Sequence, residues 1–116
     1  MDQICLVLPI KEGKTEAARS FMNELETERK QDYAMSERRI GIDKEAWYVA
    51  HAPSGDQFVA YMETPDFGRA LGMFSESRDP FDLWFKERLD DATGLDLNHP
   101  PADMTLPELL SSYIAA

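Results

Sequence analysis

Cysteine is almost missing from this sequence, in which Cys5 is the single thiol among 116 residues. One cysteine cannot form an intrachain disulfide, and such scarcity fits a reducing compartment. The first apolar run, from Ile4 to Ile10, is short, contains Pro9 and follows no basic segment, so it lacks the form of a secretion signal. We therefore expect a cytoplasmic protein.

Basic side chains are also few, since 12 lysines and arginines face 22 aspartates and glutamates, for a formal net charge of −10. The stretch from Leu89 to Ala116 contains no basic residue, and the pair Arg38–Arg39 is flanked by Glu37 and Asp43. Nucleic acids and anionic membranes both attract basic surfaces, which this composition does not provide. No apolar run approaches the roughly 20 residues that cross a bilayer. We expect neither nucleic acid nor membrane as a partner.

Histidine is limited to His51 and His99. These two stand at no helical or strand spacing from each other or from Cys5, so they do not form a recognisable set of metal ligands. The acidic residues are scattered, without the spacing of a calcium-binding loop. No metal and no cofactor is expected.

Apolar residues make up 43% of the chain, enough for one core, and 116 residues leave room for one domain, residues 1–116. Their spacing predicts an α+β protein with a βαββαβ order, the ferredoxin-like pattern, and an extra helix before the last strand. Phe81, Trp84 and Phe85 fall within one turn of that extra helix and are expected in the core or in a dimer contact. The predicted elements are strands at 3–8, 46–52, 57–63 and 106–114, and helices at 15–35, 66–76 and 80–93, with the helices on one face of the sheet.

The two central strands are expected to form a hairpin around Pro53-Ser54-Gly55-Asp56. A four-residue loop pairs Ala52 with Gln57, and therefore His51 with Phe58, Trp47 with Met62 and Tyr48 with Tyr61. Listed by face, this gives Trp47, Val49, His51, Phe58, Ala60 and Met62 on one side, and Ala46, Tyr48, Ala50, Ala52, Val59, Tyr61 and Glu63 on the other.

Neither face of this hairpin has the polar character of a surface that meets water. The helices of the chain cover one side only, so the second side needs another partner. A second copy of the sheet is the simplest one, and it would give a homodimer with a cavity between the two sheets. The alternative is that the surplus apolar residues are single surface residues, which are common in monomers.

Several short motifs resemble an uncharacterised family of small bacterial ferredoxin-like proteins, over about residues 11–110. They are Gly41-Ile42-x-x-Glu45-x-Trp47, Pro53-Ser54-Gly55-Asp56, Tyr61-Met62-Glu63 with Asp66, Asp79-Pro80-Phe81-x-x-Trp84-Phe85 and Gly94-x-Asp96-Leu97. That family is similar to the dimeric α+β barrel superfamily, which includes antibiotic biosynthesis monooxygenases, chlorite dismutases and stress-responsive barrel proteins. The resemblance implies the fold and a homodimer, but it implies no chemistry, because one fold hosts many activities.

The candidate ligand-binding residues are Tyr48, Tyr61, Glu63 and His51. Two phenols and a carboxylate facing an apolar cavity could orient a small ligand, and a buried Glu63 could exchange protons. The structural alternative is that Tyr48 and Tyr61 form a cross-strand aromatic pair while Glu63 reaches solvent. His51 could act as a base near neutral pH, although a histidine on the helix-facing side is more commonly a core or rim residue.

The sequence therefore predicts a protein that binds a small apolar or aromatic molecule between the two sheets of a homodimer, and it identifies no catalytic residue. Two alternatives stay open. One is a non-catalytic dimeric accessory or regulatory module with a filled interface, and the other is a cofactor-free monooxygenase or isomerase. The volume and polarity of the cavity distinguish the ligand-binding protein from the filled module.

Overall fold

The computed structural model describes residues 1–115 and contains three strands and four helices. The strands are β1 (Asp2–Pro9), β2 (Lys44–Ala52) and β3 (Gly55–Thr64). The helices are α1 (Thr15–Glu26), α2 (Lys30–Ile40), α3 (Phe67–Glu76) and α4 (Pro80–Thr93).

The three strands form one antiparallel sheet in the order β1-β3-β2, with β3 at the centre. Leu6 of β1 and Trp47 of β2 both lie opposite Ala60 of β3. Because side chains alternate along a strand, these three residues share one face of the sheet. The helices cover this face, which is called the inner face below.

The core between the inner face and the helices is rich in aromatic rings. Phe21 of α1 packs edge-to-face against Phe58 and Phe85, with ring centroids 6.5 and 4.9 Å apart. Trp47 meets Phe58 at 5.2 Å, again edge-to-face, a geometry that aromatic pairs prefer. The expected ferredoxin-like α+β arrangement, with helices on one face of an antiparallel sheet, is confirmed.

The hairpin between β2 and β3 is tighter than the sequence suggested. Ala52 pairs with Gly55 across a two-residue turn, Pro53–Ser54, so His51 lies opposite Asp56 and Tyr48 lies opposite Val59. Gly55 has a φ of 128°, a backbone conformation that favours glycine, so it can enter the strand directly after the turn. The expected register was wrong by two residues, but a shift of two keeps every side chain on its predicted face.

The single helix expected over residues 15–35 is in fact two helices. After α1 the chain turns at residues 27–29, where Arg29 donates its amide N–H to the carbonyl of Glu24. α2 then continues to Ile40, five residues beyond the expected end, and Gly41 closes it in the left-handed conformation. The break lets α2 change direction, so that Ser36 is buried against α4, where its hydroxyl donates to Asp82.

The two later helices begin within one residue of their predicted positions, and a carboxylate caps each of them. The carboxylate of Asp66 accepts the amide N–H of Arg69 at the start of α3, and that of Asp79 accepts the N–H of Phe81 at the start of α4. Pro80 occupies the first turn of α4, where its missing N–H costs nothing. Gly94 ends α4 in the left-handed conformation.

The last strand expected at 106–114 is not formed within the described residues. The chain after Met104 has no regular secondary structure and no strand pairing, and Pro107 can offer no N–H to a neighbouring strand. Leu106 still packs on the core formed by Leu6, Ala60 and Met62. Among residues 1–115, none of the helices is both long and apolar enough to span a membrane.

Candidate functional site

A small cavity of about 50 Å³ lies between the inner face of the sheet and the helices. Its walls are mostly apolar and come from both the sheet and the helices, including Leu6 of β1, Ala70 of α3 and Phe85 of α4. The irregular segment after α4 covers it with Leu95, Leu97 and Met104, whose side chains also line the wall. The polar residues in this wall are few: Ser36, Glu37, Glu45 and Trp47.

Glu45 extends from β2 toward the helices, because it shares the strand face of Trp47 two residues later. Its Oε2 oxygen accepts two hydrogen bonds, one from the hydroxyl of Tyr33 and one from Trp47 Nε1 at 2.9 Å. Two donors on one oxygen are the environment of an ionised carboxylate.

Glu37 lies beside Glu45 and comes from α2, one helical turn after Tyr33. Its Oε2 oxygen is buried and accepts no hydrogen bond from a donor group among the described residues. Burial raises the pKa of Glu37 to about 10, and the charge of Glu45 and a hydrogen bond with it act in the same direction. At neutral pH Glu37 is therefore a neutral carboxylic acid that can both donate and accept a hydrogen bond.

Tyr33 does not line the cavity, but its hydroxyl donates a hydrogen bond to Glu45 in the cavity wall. Burial raises the pKa of its phenol far above the ordinary value, and the neighbouring charge of Glu45 raises it further. The hydroxyl therefore stays protonated and acts as a fixed donor to Glu45. The site combines one neutral acid, one carboxylate and two immobilised donors at the edge of an apolar space.

A second buried carboxylate, Asp82 at the start of α4, serves a structural purpose. Its oxygens accept hydrogen bonds from Ser36 and Ser77, both at 2.5 Å, and from Arg39 at 2.9 Å. The nearby ammonium of Lys86 is fully buried and donates to three carbonyl groups at the end of α3. These contacts fix α2, α3 and α4 relative to one another and thereby hold Glu37 in the cavity wall.

The residues proposed from the sequence lie elsewhere. Tyr48, Tyr61 and Glu63 are on the face of the sheet that the helices do not cover, called the outer face below. The hydroxyl of Tyr61 donates to Glu63 at 2.8 Å, a hydrogen bond that raises the pKa of Tyr61, while Tyr48 is 62% exposed. The structure thus brings Tyr61 and Glu63 together and leaves Tyr48 opposite Val59.

His51 lies on the predicted strand face, but it is next to the hairpin turn, where its side chain is exposed. Its Nδ1 atom lies 2.6 Å from Asp56 Oδ1, and Asp56 also accepts a hydrogen bond from Thr15. These two hydrogen bonds lower the pKa of Asp56. His51 is part of this small surface cluster and does not line the cavity.

Sequence reasoning missed Glu37 and Glu45, although signals for both were present. Glu45 lies two residues before Trp47 and therefore shares its strand face, and both belong to a motif used for the family resemblance. Tyr33 and Glu37 are four residues apart, the spacing of neighbours on one side of a helix. Within residues 1–115, no three histidine, cysteine, aspartate or glutamate side chains are grouped as metal ligands.

No family model matches this sequence. A comparison with curated proteins finds no match either. Among solved structures, tetracenomycin F2 cyclase from Streptomyces glaucescens, described as a type-II polyketide cyclase, is similar over 100% of both chains, with a TM-score of 0.58 and 15% sequence identity. Identity this low shows a shared fold alone. The ferredoxin-like resemblance is therefore supported at the level of the fold, and the suspected family is not confirmed.

Proposed function

We propose that this protein binds a small apolar or aromatic molecule in the cavity between its sheet and its helices. The observation that carries the proposal is the pair Glu37 and Glu45 in an otherwise apolar wall. Ligand sites are typically apolar with a few fixed polar groups that set orientation. Burying two carboxyl groups side by side costs free energy that a purely structural core would avoid, and an orphaned buried oxygen adds to that cost.

The neutral state of Glu37 indicates which polar group a ligand would carry. Glu37 is a neutral acid and cannot form an ion pair, so a hydroxyl or carbonyl group suits it better than an ammonium group. A ligand with one such oxygen would give Glu37 Oε2 the partner that it lacks. The same acid could exchange a proton with the bound group, which keeps a cofactor-free isomerase among the candidate activities.

The ligand must enlarge the cavity, because about 50 Å³ is far below the roughly 300 Å³ at which drug-sized pockets begin. Met104 belongs to the segment without regular structure and is only half-buried, so its displacement disturbs no helix or strand. We infer that this segment moves when the ligand enters. The fold is compatible with the binding of a small molecule, since the similar solved structure is a polyketide cyclase.

A second candidate function is the non-catalytic dimeric module. The small volume of the cavity favours it, because a core this well filled needs no ligand. In that case Glu37 and Glu45 would act only as a structural pair, and the protein would bind no apolar molecule with useful affinity.

Binding of two matched probes, 1-naphthol and naphthalene, distinguishes the two candidates. Trp47 lies in the cavity wall and reports binding by its fluorescence, once Trp84 is replaced by phenylalanine to remove the other indole. We expect 1-naphthol to bind about five- to thirtyfold more tightly than naphthalene, because one hydrogen bond to a buried partner contributes about 1–2 kcal/mol.

Two variants locate the binding. Ala70→Leu fills the cavity and should abolish binding of both probes, whereas Ala34→Leu at an exposed position of α2 should change nothing. Glu37→Gln keeps the shape and should change the ratio between the probes. If neither probe binds, the filled module is the correct interpretation, and if Ala70→Leu binds as well as the unmodified chain, the cavity is not the binding site.

We further propose that the chain forms a homodimer through its outer face, as the apolar pattern of the strands predicted. The observation that supports this is the exposure of Val7 and Tyr48 at 42% and 62% on a face that the helices leave open. The site first suggested by the sequence, with Tyr48, Tyr61, Glu63 and His51, is a separate proposal, since a cavity there requires the second copy.

A further inference from the structure

A surface groove of about 270 Å³ lies where the end of α2 meets the start of α3, and three arginines line it. They are Arg38 and Arg39 in the last turn of α2 and Arg69 in the first turn of α3. The chain has only 12 basic residues and a net charge of −10, so three arginines in one groove are a local concentration of positive charge. Asp66 is the one acidic residue in the same wall.

The position of Arg69 is unfavourable unless a negative charge balances it. The start of a helix carries the positive end of the helix dipole, which disfavours a cation there. Asp66 caps this helix by accepting the backbone N–H of Arg69 at 3.0 Å, but among residues 1–115 the guanidinium group of Arg69 forms no ion pair. The dipole explains Arg38 and Arg39, which stand at the end of α2, and it does not explain Arg69.

The two arginines of α2 differ in how they are held. Arg39 donates to Asp82 at 2.9 Å and lies 3.6 Å from Asp79, so its guanidinium group is anchored while its side chain stays 39% exposed. Arg38 donates only a long bond of 3.5 Å to the carbonyl of Ala34, and it too forms no ion pair within the described chain. Because a guanidinium group has five N–H donors, both arginines keep donors for a ligand.

The two sides of the groove are fixed by contacts within the fold. Thr64 at the end of β3 is buried, and its hydroxyl donates to the carbonyl of Gly41 at 2.7 Å, which ties the end of α2 to the sheet. The amide N–H of Phe67 donates to Asp2 at 2.9 Å, which ties the start of α3 to β1. A site whose walls are already in place loses little conformational entropy when a ligand binds.

We propose that this groove binds a small molecule through an oxyanion group, a phosphate or a carboxylate. The planar guanidinium group donates two parallel N–H bonds to either group. A bound oxyanion balances the charges of Arg38 and Arg69 and connects α2 with α3. The rest of the ligand is partly apolar, because Ile40, Pro65 and Met73 also line the groove.

The groove is separate from the cavity between the sheet and the helices. Ile40 lines both spaces, but Glu37 and Glu45 do not line the groove. The anion site therefore goes beyond the proposed function and does not depend on it. Three arginines in one groove also fall short of the long basic stripe that a nucleic acid needs, so the ligand is a small molecule.

Titration of the full chain with three matched probes, followed by two-dimensional amide NMR, tests the proposal. Phenyl phosphate and benzoate carry the two oxyanions on the same ring, and benzamide has the shape of benzoate without its charge. The anions should shift the amide signals of Gly41, Thr64 and Arg69, with a dissociation constant of about 1 mM or lower for the better probe. Benzamide should leave these signals in place, and the tighter anion identifies the oxyanion that the groove prefers.

Arginine variants locate the contact. Arg69→Gln and Arg38→Gln should each weaken binding of the tighter anion roughly tenfold, because charge-assisted hydrogen bonds are lost. Arg69→Lys keeps the charge but not the pair of parallel donors, so its loss should be smaller. Arg19→Gln removes the same charge from an exposed position of α1 and should bind like the unmodified chain.

Three results would overturn the anion site. They are the absence of a saturable shift at about 10 mM of either anion, equal shifts with benzamide, and an Arg69→Gln chain that binds as well as Arg19→Gln. The indole N–H of Trp47 reports the cavity, so an anion that shifts only this signal is bound there and not in the groove. Anion binding in the groove of a chain that does not bind 1-naphthol would support the anion site and overturn the cavity proposal alone.

Discussion

Glu37 and Glu45 have the same side chain, but Glu37 is neutral whereas Glu45 is charged. Their surroundings explain the difference. Glu45 accepts hydrogen bonds from Tyr33 and Trp47, which stabilise its charge. Glu37 has no donor for its buried Oε2 oxygen and lies next to the charge of Glu45, so it keeps its proton. A buried carboxyl group with a strongly raised pKa is typical of sites that transfer protons.

The raised pKa of Glu37 predicts how stability depends on pH. Below about pH 4.5, its ordinary pKa, Glu37 is protonated in both the folded and the unfolded chain. As the pH rises from there toward about 10, the unfolded chain loses this proton while the folded chain keeps it. The free energy of unfolding should therefore fall by up to about 1.4 kcal/mol per pH unit from this group alone.

Glu37→Gln removes this dependence, because glutamine is neutral at every pH. Urea unfolding at pH 5 and pH 8 should show that the variant gains stability relative to the unmodified chain as the pH rises. Glu12→Gln, at an exposed position in the first turn, serves as the control and should run parallel to the unmodified chain. Equal pH dependence in all three proteins would mean that Glu37 is ionised in the folded state.

At the scale of single elements, α4 connects the core with the cavity. Phe85 is buried and its ring lies within 6.2 Å of those of Phe21, Trp47, Phe74 and Phe81. Trp84, the preceding residue, is only half-buried, with the Arg29 guanidinium 3.9 Å from its ring centroid. The sequence pattern predicted the same environment for both residues. Successive residues on a helix point about 100° apart, so Phe85 lines the cavity while Trp84 lies at the half-buried edge of the helix.

Alanine substitutions should separate these two environments. Phe85→Ala should lower the free energy of unfolding by about 3–5 kcal/mol, the range for a fully buried aromatic side chain. Trp84→Ala should cost less, about 1–3 kcal/mol, because part of its ring is already in contact with water and the cation–π contact is a small contribution. Denaturant titration measures both, and a larger loss for Trp84 would place it in a buried contact that a single chain does not show.

At the scale of the whole molecule, the sheet has two apolar faces and only one layer of helices. The inner face is covered by α1 to α4, and the outer face has Val7 and Tyr48 in contact with solvent. The acidic surface does not prevent two such faces from meeting, because charges at the rim are screened within about 8–10 Å at physiological salt.

A charge at the centre of the outer face should break the proposed homodimer. Val59→Asp places a carboxylate on the central strand, where dimerisation would bury it without a partner, and the cost of several kcal/mol should leave monomer or aggregate. Ser20→Asp, at an exposed position of α1, is the matched control. Light scattering provides the mass, and circular dichroism shows whether the variant is folded. A folded Val59→Asp dimer as tight as the control would remove the outer face as the interface.

Much of this architecture can be predicted from local sequence patterns. Alternation along 46–52 and 57–63 assigned each side chain to a face, and because the period is two, an error of two residues in the register left the assignment intact. Asp66, Asp79 and Gly94 marked helix ends by local hydrogen bonding and backbone preference, which depend on near neighbours only. These features are determined by the sequence itself.

The candidate site is different, because only the tertiary structure decided it. Glu37 and Glu45 are eight residues apart, on a helix and a strand, and no local rule places their carboxyl groups side by side. Their meeting depends on the break between α1 and α2 and on Asp82, which anchors α2 through Ser36 and Arg39. The pKa of Glu37 follows from that burial, and burial is a property of distant parts of the chain packing together, which periodicity does not contain.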